Sequence, residues 1–409
     1  MPAQHLELQL EKLTYGGDAL AHLPDGRAAF VPFAIPGEKV QVRILEEKQG
    51  HVRTQLVEVL NAAPQRILPK CIHFKQCGGC HYQHMPYEAQ LAAKMDILRD
   101  QLRRIGKIEN PNIMPIVPSP NPWHYRNHIQ FHLTRGGKLG FQASHSHEII
   151  PISECHLPEK AINDLWPHLA FEPECGVECV SLRLGRDEEM MIILESSSPE
   201  LPELEVEADV SVLHLLDEDA FVMAGNEHLV MEVLGRPFRV SAGSFFQVNT
   251  AMAEKMVGHI LSELQILPST TVMDIYCGVG LFSAFLAPHA GRVIGIESSI
   301  SACQDFAANL DEFDNVELYE APAENVLPYL DVAPDIILVD PPRAGLDKRL
   351  LDSILNRKPM TLLYVSCDPS TLARDMRRLL DGGYRLEQVT PFDLFPQTYH
   401  IETINRLTR

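Results

Sequence analysis

The feature that most constrains the fold is a regular alternation of short apolar strands and helical segments over residues 271–380. The predicted elements, in chain order, are Thr271–Tyr276, Leu281–Ala287, Arg292–Ile296, Ser301–Leu310, Val316–Leu318, Asp335–Val339, Thr361–Ser366 and Thr371–Leu380. Strands that alternate with helices build a sheet with helices on both faces. The alternation therefore predicts an α/β, doubly wound and mainly parallel sheet at the C-terminal end of the chain.

The rest of the chain has a different pattern, and 409 residues are too many for one hydrophobic core. Short alternating strands separated by Gly and Pro turns are predicted at Leu6–Leu10, Ala28–Val31, Val40–Ile44 and Val52–Val59. Short strands at this spacing are typical of a small β-barrel, a shape that often binds oligonucleotides. We predict three domains: the barrel over residues 1–62, a β-rich central domain over residues 63–235, and the α/β domain over residues 236–409.

A glycine turn follows the first strand of the predicted sheet. Gly278 and Gly280 allow a ligand to approach the backbone closely, and the third glycine of a dinucleotide fingerprint is absent. Glu297 ends the next strand, where a carboxylate accepts hydrogen bonds from ribose hydroxyls. This arrangement favours S-adenosylmethionine, and a generic nucleotide fold that binds NAD is the alternative.

A cysteine stands at the junction of the strand Thr361–Ser366 and the helix that follows it. Asp368 is positioned to cap this helix and Pro369 suits its first turn, so Cys367 is expected beside a helix N-terminus that favours the reactive thiolate. A lone cysteine is more often a buried structural residue. The predicted strand Asp335–Val339, however, is followed by Asp340-Pro341-Pro342-Arg343, a loop typical of methyltransferases. Glu402 follows Cys367 near the end of the chain.

These residues predict covalent chemistry on a nucleobase. Carbon 5 of a pyrimidine is a poor nucleophile until a thiolate adds to carbon 6, and a base must afterwards remove the proton from carbon 5. We assign Cys367 as the nucleophile and Glu402 as the base, with partial burial raising the pKa of the carboxyl group towards neutrality. Methylation of an exocyclic amine is disfavoured because Arg343, and not an aromatic residue, follows the two prolines.

Three of the nine cysteines form a tight cluster, Cys71, Cys77 and Cys80, and Cys155 is the best fourth candidate. The spacing alone leaves structural zinc and an iron–sulfur cluster both open, and Cys175 and Cys179 are alternative ligands. Nine cysteines in 409 residues, three of them clustered, indicate a metal site in a reducing compartment. We therefore expect a cytoplasmic protein. No apolar run approaches the ~20 residues that cross a bilayer.

The net charge of −20 argues against nucleic acid when it is taken as a whole. Residues 161–235, however, carry 18 acidic side chains and two basic ones, and we interpret this segment as a solvated face turned away from a polyanion. The neutral-to-basic first 160 residues remain available for RNA.

The chain resembles the S-adenosylmethionine-dependent RNA uridine-5-methyltransferases. Ser366-Cys367-Asp368-Pro369 is similar to the nucleophile motif of that family, His400-Ile401-Glu402-Thr403 to its base motif, and Phe245-Phe246-Gln247-Val248-Asn249 to a cofactor-contact segment. The resemblance implies a Rossmann-like methyltransferase domain, an OB-like barrel of the TRAM type and a central domain that carries the cysteine cluster. It also implies that Gln247, Tyr276, Glu297 and Asp340 contact the cofactor.

The resemblance further implies a 4Fe–4S cluster on Cys71, Cys77, Cys80 and Cys155, and a structured RNA as partner. A uridine of 23S ribosomal RNA is favoured and a transfer RNA uridine is the alternative. Tyr125-Arg126-Asn127 is similar to a substrate-side segment of the family, although His128 stands where many members have Lys. We expect a monomer.

Two other functions are alternatives. A radical-type modifying enzyme also combines TRAM domains with iron–sulfur clusters, but it predicts a Cys-x3-Cys-x2-Cys pattern that this chain lacks. A non-catalytic, redox-sensing RNA-binding protein predicts RNA binding that does not depend on Cys367.

Overall fold

The computed structural model describes residues 5–198, 209–217 and 219–409. Its first region is a six-stranded sheet with the order β1-β5-β6-β4-β3-β2, in which β1 also approaches β3, so that the sheet curls into a barrel. The strands are β1 (His5–Gln9), β2 (Lys12–Leu13), β3 (Ala19–His22), β4 (Ala28–Val31), β5 (Lys39–Glu47) and β6 (His51–Asn61). Alternate residues such as Val40 and Val42 are fully buried inside it. The predicted small barrel is confirmed, and β2 and β3 are too short to stand out in the sequence pattern.

The central region contains helix α1, a loop with three of the clustered cysteines before it, and a seven-stranded sheet after it. Its elements are α1 (Tyr87–Arg104), β7 (His128–Leu133), β8 (Leu139–Gln142), β9 (Ile149–Pro151), α2 (Lys160–Leu165), β10 (Cys179–Leu184), β11 (Met190–Glu195), β12 (Ser211–Leu216) and β13 (Asp219–Ala224), with 3-10 turns at Trp166–His168 and Arg186–Glu188. The sheet order is β13-β12-β11-β10-β7-β8-β9. The β-rich character expected of this region is present.

The acidic segment is only partly the solvated face that its charge predicts. Strands β10 and β11 lie within it, and their side chains from Val180 to Leu182 and from Met190 to Leu194 are buried. Buried apolar strands therefore separate the acidic positions. The interpretation of residues 161–235 as a solvated face is wrong for β10 and β11. Residues 199–208 and 218 of the segment lie outside the described residues.

The C-terminal region is the predicted α/β sheet. Its elements are β14 (His228–Val233), β15 (Arg236–Ser241), α3 (Thr250–Glu263), β16 (Thr271–Ile275), α4 (Leu281–Leu286), β17 (Arg292–Glu297), α5 (Ile300–Asn309), β18 (Val316–Glu320), α6 (Ala323–Val326), a 3-10 turn (Leu327–Tyr329), β19 (Ile336–Val339), α7 (Lys348–Arg357), β20 (Thr361–Ser366), α8 (Pro369–Asp381), β21 (Arg385–Phe392) and β22 (Glu402–Thr408). The sheet order is β18-β17-β16-β19-β20-β22-β21. Strands β16 to β20 are parallel, whereas β22 is antiparallel to both of its neighbours, β20 and β21.

One hydrophobic core runs from the barrel into the α/β sheet. It joins barrel residues such as Val42 and α1 residues such as Leu98 to residues of β16, α7 and α8. A second core packs α3, α4 and α5 against the opposite face of the sheet. Helix α1 therefore serves as an outer layer of the C-terminal sheet, although the central region contributes it. None of the described helices is both long and apolar enough to cross a membrane.

Candidate active site and cysteine cavity

The nucleophile loop, residues 366–368, lies between β20 and α8. Asp368 caps α8: its Oδ1 accepts hydrogen bonds from the backbone N–H groups of Ser370 at 2.8 Å and Thr371 at 3.0 Å. Pro369 occupies the first turn, where no N–H partner is needed. The expected cap is confirmed, and it holds the partly buried Cys367 at the end of its strand.

Strand register brings Glu402 to the same place. Strands β20 and β22 are antiparallel, and Ser366 pairs with Thr403. Cys367, the first residue after β20, therefore lies opposite Glu402, the first residue of β22. The Glu402 side chain is only 5% exposed, as the role of a partly desolvated base requires.

The loop after β19 adds a second carboxylate and a cation. Parallel strands β19 and β20 end at the same edge of the sheet, so Asp340 and Arg343 lie beside Cys367. Arg343 in turn donates from Nη2 to the Nε2 atom of His400 at 3.3 Å. Burial lowers the pKa of His400 to about 2, which keeps its imidazole neutral and able to accept this bond.

The electrostatics of this edge differ from the expectation for Cys367. Burial, followed by the charges of Glu402 and Asp340, raises the pKa of the Cys367 thiol to about 12, and Arg343 opposes this shift. Burial and Asp340 likewise raise the pKa of Glu402 well above its usual range. The expected stabilisation of the thiolate at the helix N-terminus is therefore outweighed, and the sulfur carries a proton at neutral pH unless a neighbouring group removes it.

The glycine turn forms the next part of this edge. Gly280 has a φ of 89°, and a Cβ atom there would lie 2.4 Å from the Leu310 side chain, so only glycine fits. Glu297 already accepts hydrogen bonds from the N–H of Gly278 at 2.9 Å and from Ser298 at 2.7 Å. Its Oε1 also accepts a hydrogen bond from the N–H of Ser299 at 2.9 Å, so Oε2 is the oxygen that keeps a lone pair for a ligand hydroxyl.

Asp274 lies in β16, just before the glycine turn, and its carboxyl group is buried. Its Oδ2 accepts a hydrogen bond from Ser283 Oγ at 2.7 Å, and its Oδ1 has no hydrogen-bond partner among the described residues. Burial raises its pKa to about 7. Tyr276 lines a neighbouring cavity of about 760 Å³ together with Ser298 and Pro342.

The segment around Gln247 approaches from the other side of the fold. Asn127 donates from Nδ2 to the backbone oxygen of Gln247 at 2.9 Å, which ties the segment to the central region. Phe246 is buried, whereas Phe245 is 67% exposed. Of the two aromatic residues of this segment, Phe246 therefore packs in the core and Phe245 does not.

The four candidate metal ligands line one cavity of about 330 Å³, which we call the cysteine cavity. Cys71, Cys77, Cys80 and Cys155 all contribute to its wall, as do Arg126 and His128. The bridge between Cys77 and Ala143 and the close approach of Gly78 to the Gln142 carbonyl bring the loop onto the central sheet. Cys175 and Cys179 are not among the residues of this wall, and Cys179 lies 3.3 Å from His132 instead.

Within the described ranges, no three His, Cys, Asp or Glu side chains are placed so that they could hold a metal ion. A single zinc ion needs all its sulfur ligands ~2.3 Å from one point. Four thiols spread around a cavity fit a larger group better, because each cysteine of an iron–sulfur cluster binds a different iron. The donor set and the cavity therefore fit a cluster better than an ion. Arg126, from the segment that is similar to a substrate-side segment of the family, lines this cavity.

Two contacts of the site have no signal in the local sequence. Tyr15, in the turn between β2 and β3, donates its hydroxyl to Asp368 Oδ2 at 2.9 Å across 353 positions of the chain. Lys94 of α1 donates to Asp393 Oδ1 at 2.5 Å, and both side chains are fully buried. Both contacts join distant parts of the sequence, and nothing in the neighbourhood of either residue indicates its partner.

Residues 393–401, which we call the pre-β22 loop, connect β21 to Glu402 at the start of β22. Besides the bond from Lys94, the loop accepts hydrogen bonds at the Gln397 carbonyl from the N–H groups of His81 at 2.8 Å and Tyr82 at 3.0 Å. These two residues directly follow Cys80. The chain segment directly after Cys80 is thus hydrogen-bonded to the loop that leads to the candidate base.

The chain matches two known family models. Residues 226–332 and 328–409 match the family model described as tRNA (Uracil-5-)-methyltransferase, and residues 1–57 match the TRAM domain. An uncharacterized RNA methyltransferase of Thermosynechococcus vestitus is 35% identical over 98% of both chains. One of Halalkalibacterium halodurans is also 35% identical, over 98% of this chain and 96% of its own.

A solved structure extends the likeness to the whole fold. The tRNA (uracil-54, C5)-methyltransferase of Pyrococcus abyssi, in complex with S-adenosyl-L-homocysteine, matches with a TM-score of 0.76 and 26% identity. The match covers 98% of this chain and all of the other. The chain therefore belongs to the RNA uracil-5-methyltransferases, an enzyme family, and carries the TRAM domain at its N-terminus.

Proposed function

We propose that this enzyme methylates carbon 5 of a uridine in structured RNA, with S-adenosylmethionine as methyl donor and Cys367 as covalent nucleophile. The observation that carries the proposal is the meeting of Cys367 and Glu402 at adjacent ends of β20 and β22. S-adenosylmethionine supplies an electrophilic methyl group when it is bound. Gln247, Tyr276, Gly278, Gly280, Glu297 and Asp340 are the residues we propose to contact it.

The chain's own residues divide the work on the uracil ring. The Cys367 sulfur bonds to carbon 6 while its proton passes to Asp340, the second carboxylate that faces it, whose pKa is raised to about 7 by burial. The electron pair displaced from the ring double bond makes carbon 5 nucleophilic, so that carbon 5 would take the methyl group while the donor sulfur keeps the bonding electron pair. Glu402 then removes the proton from carbon 5, the ring double bond re-forms, and the Cys367 sulfur leaves carbon 6 as a thiolate that regains its proton from Asp340. The uridine must leave its stack to reach this edge.

RNA that carries 5-fluorouridine at the target position tests the mechanism. Fluorine in place of the carbon 5 proton blocks the last step, so the wild-type enzyme should form an adduct with the RNA that survives denaturation. The Cys367→Ala variant should bind the RNA and form no adduct. A variant without Cys367 that still methylates RNA would remove the covalent mechanism, and RNA binding without any product in the wild type would favour the redox-sensing alternative.

We propose 23S ribosomal RNA as the substrate, because the combination of barrel and cysteine cluster resembles enzymes that act on it. Transfer RNA is the second candidate, favoured by the full-length likeness to the Pyrococcus abyssi enzyme. Mapping of 5-methyluridine in total RNA from a deletion strain distinguishes them. Loss of a ribosomal site supports the first candidate, and loss of a transfer RNA site supports the second.

We also propose that Cys71, Cys77, Cys80 and Cys155 hold a 4Fe–4S cluster with a structural role. The support is the shared cavity and its donor set. Protein purified without oxygen should contain about four iron and four sulfide per chain, and the Cys155→Ser variant should lose most of both. Cys175→Ser is the matched control, because Cys175 lies outside the cavity wall. Zinc in place of iron, or equal loss in the control, would contradict the assignment.

A further inference from the structure

The nucleophile loop has a contact from the N-terminal barrel that the proposed mechanism does not use. The two carboxylate oxygens of Asp368 serve different partners: Oδ1 caps α8, and Oδ2 accepts the hydroxyl of Tyr15 at 2.9 Å. Asp368 directly follows Cys367, and its negative charge is one of those that raise the pKa of the thiol. The barrel therefore contacts the residue that stands beside the reacting sulfur.

The Tyr15 ring is held on its other side. It packs edge-on against Tyr399 of the pre-β22 loop, with ring centroids 5.4 Å apart. Gly17 of the same barrel turn lies against His81, which itself packs on Tyr399 at 4.6 Å. Burial and Asp368 raise the pKa of Tyr15, so its hydroxyl keeps the proton that it donates. The phenol is thus fixed in position and remains a donor over the working pH range.

We propose that Tyr15 is a positioning residue for the reaction, which holds Asp368 and draws its negative charge away from the Cys367 sulfur. The inference rests on the proposed role of Cys367 as nucleophile. A donated hydrogen bond delocalises charge on the accepting carboxylate. The other charged groups that face the sulfur are Glu402, Asp340 and Arg343. Asp368 is the one of these four groups to which the Tyr15 hydroxyl donates a hydrogen bond.

The rate of adduct formation with 5-fluorouridine RNA tests this role. With enzyme in saturating excess, Tyr15→Phe should form the adduct about tenfold more slowly than wild type, the scale expected for one hydrogen bond to a charged group. The pH profile of the rate should move to higher pH, because Asp368 then keeps its full charge beside the thiol. RNA affinity should stay the same, and the midpoint of thermal unfolding should fall only slightly, because one hydrogen bond is lost while the ring and its packing remain.

Two further variants keep the test decisive. Tyr329→Phe is the control, because Tyr329 is 86% exposed and lies outside the site. Asp368→Asn keeps a good helix cap but removes the charge, so its pH profile should move the opposite way, to lower pH. An unchanged rate and pH profile in Tyr15→Phe, or weaker RNA binding with an unchanged saturated rate, would overturn the inference. Absence of any adduct in the wild type would instead reject the proposed function itself.

Discussion

The catalytic edge and the cysteine cavity both bury sulfur beside an arginine, but they surround it with different groups. Cys367 stands alone among three carboxylates, Asp340, Asp368 and Glu402, with Arg343 as the opposing cation. The cavity gathers four thiols, with Arg126 beside them. In both places burial is the largest cause of a raised thiol pKa, which reaches about 12 for Cys367 and for Cys155.

The difference shows what each sulfur is suited to do. At the catalytic edge the carboxylates provide sites that accept and return protons, so a protonated thiol there becomes a nucleophile only as its proton moves. In the cavity Cys77, Cys80 and Cys155 interact with other thiols, whereas Cys71 also faces the Glu154 carboxylate. A bound cation is what would favour the deprotonation of these thiols. Proton transfer therefore suits the thiol of the catalytic edge, and metal ligation suits the thiols of the cysteine cavity.

The sharpest test of this contrast is Glu402→Gln. The amide fills the same space but cannot take the carbon 5 proton, so methyl transfer should proceed while release stalls and the RNA adduct accumulates. Turnover should fall by about 10²- to 10⁴-fold, the usual contribution of a general base. Turnover and adduct are measured on unmodified RNA, with the exposed Glu320→Gln as control. Rapid turnover of Glu402→Gln would remove this residue from the role of base.

Lys94→Met tests how the two regions are joined. The change leaves Asp393 buried without its cation and should destabilise the protein by about 3–5 kcal/mol. Denaturant unfolding measures the loss. Lys12→Met is the matched control, because the Lys12–Asp100 pair joins the barrel to α1 at the surface, and it should cost no more than about 1 kcal/mol. Equal effects of the two variants would mean that the pre-β22 loop is held by other contacts.

The last test is the alkylation of Cys367 by iodoacetamide in the RNA-free enzyme. Because its pKa is about 12, the thiolate fraction should rise about tenfold per pH unit from pH ~7 to ~10 without a plateau. Peptide mass spectrometry resolves this cysteine from the others. A plateau near pH ~8 would show that the helix N-terminus and Arg343 prevail over burial. Arg343→Gln should slow the alkylation further, since Arg343 lowers the thiol pKa.

The sequence was sufficient for those parts of the fold that depend on local pattern. The predicted strand Thr361–Ser366 and the barrel strand Ala28–Val31 match β20 and β4 in both bounds. The junction at Cys367 follows from the same local signals, an apolar strand and then a capping Asp and Pro. The bounds of the three predicted domains and the individual roles of the site residues remain predictions.

What the sequence could not show depends on long-range register and burial. The antiparallel insertion of β22 between β20 and β21 places Glu402 beside Cys367, and no local pattern encodes that pairing. The sign of the Cys367 pKa shift depends on Asp340 and Glu402, which are distant in the chain, and on desolvation that only the packed fold reveals. Tyr15 lies in an ordinary turn, and its partner is 353 positions away.

The hydrophobic core that runs from the barrel through α1 to β16 and α8 has a consequence for engineering. A fragment that begins after residue 62 would present the barrel-facing side of α1 to water, and we expect it to aggregate. Exchange of the RNA-binding module for that of a relative would therefore need to transfer α1 along with the barrel. The barrel, α1 and one face of the α/β sheet therefore share a core that a module exchange would have to keep intact.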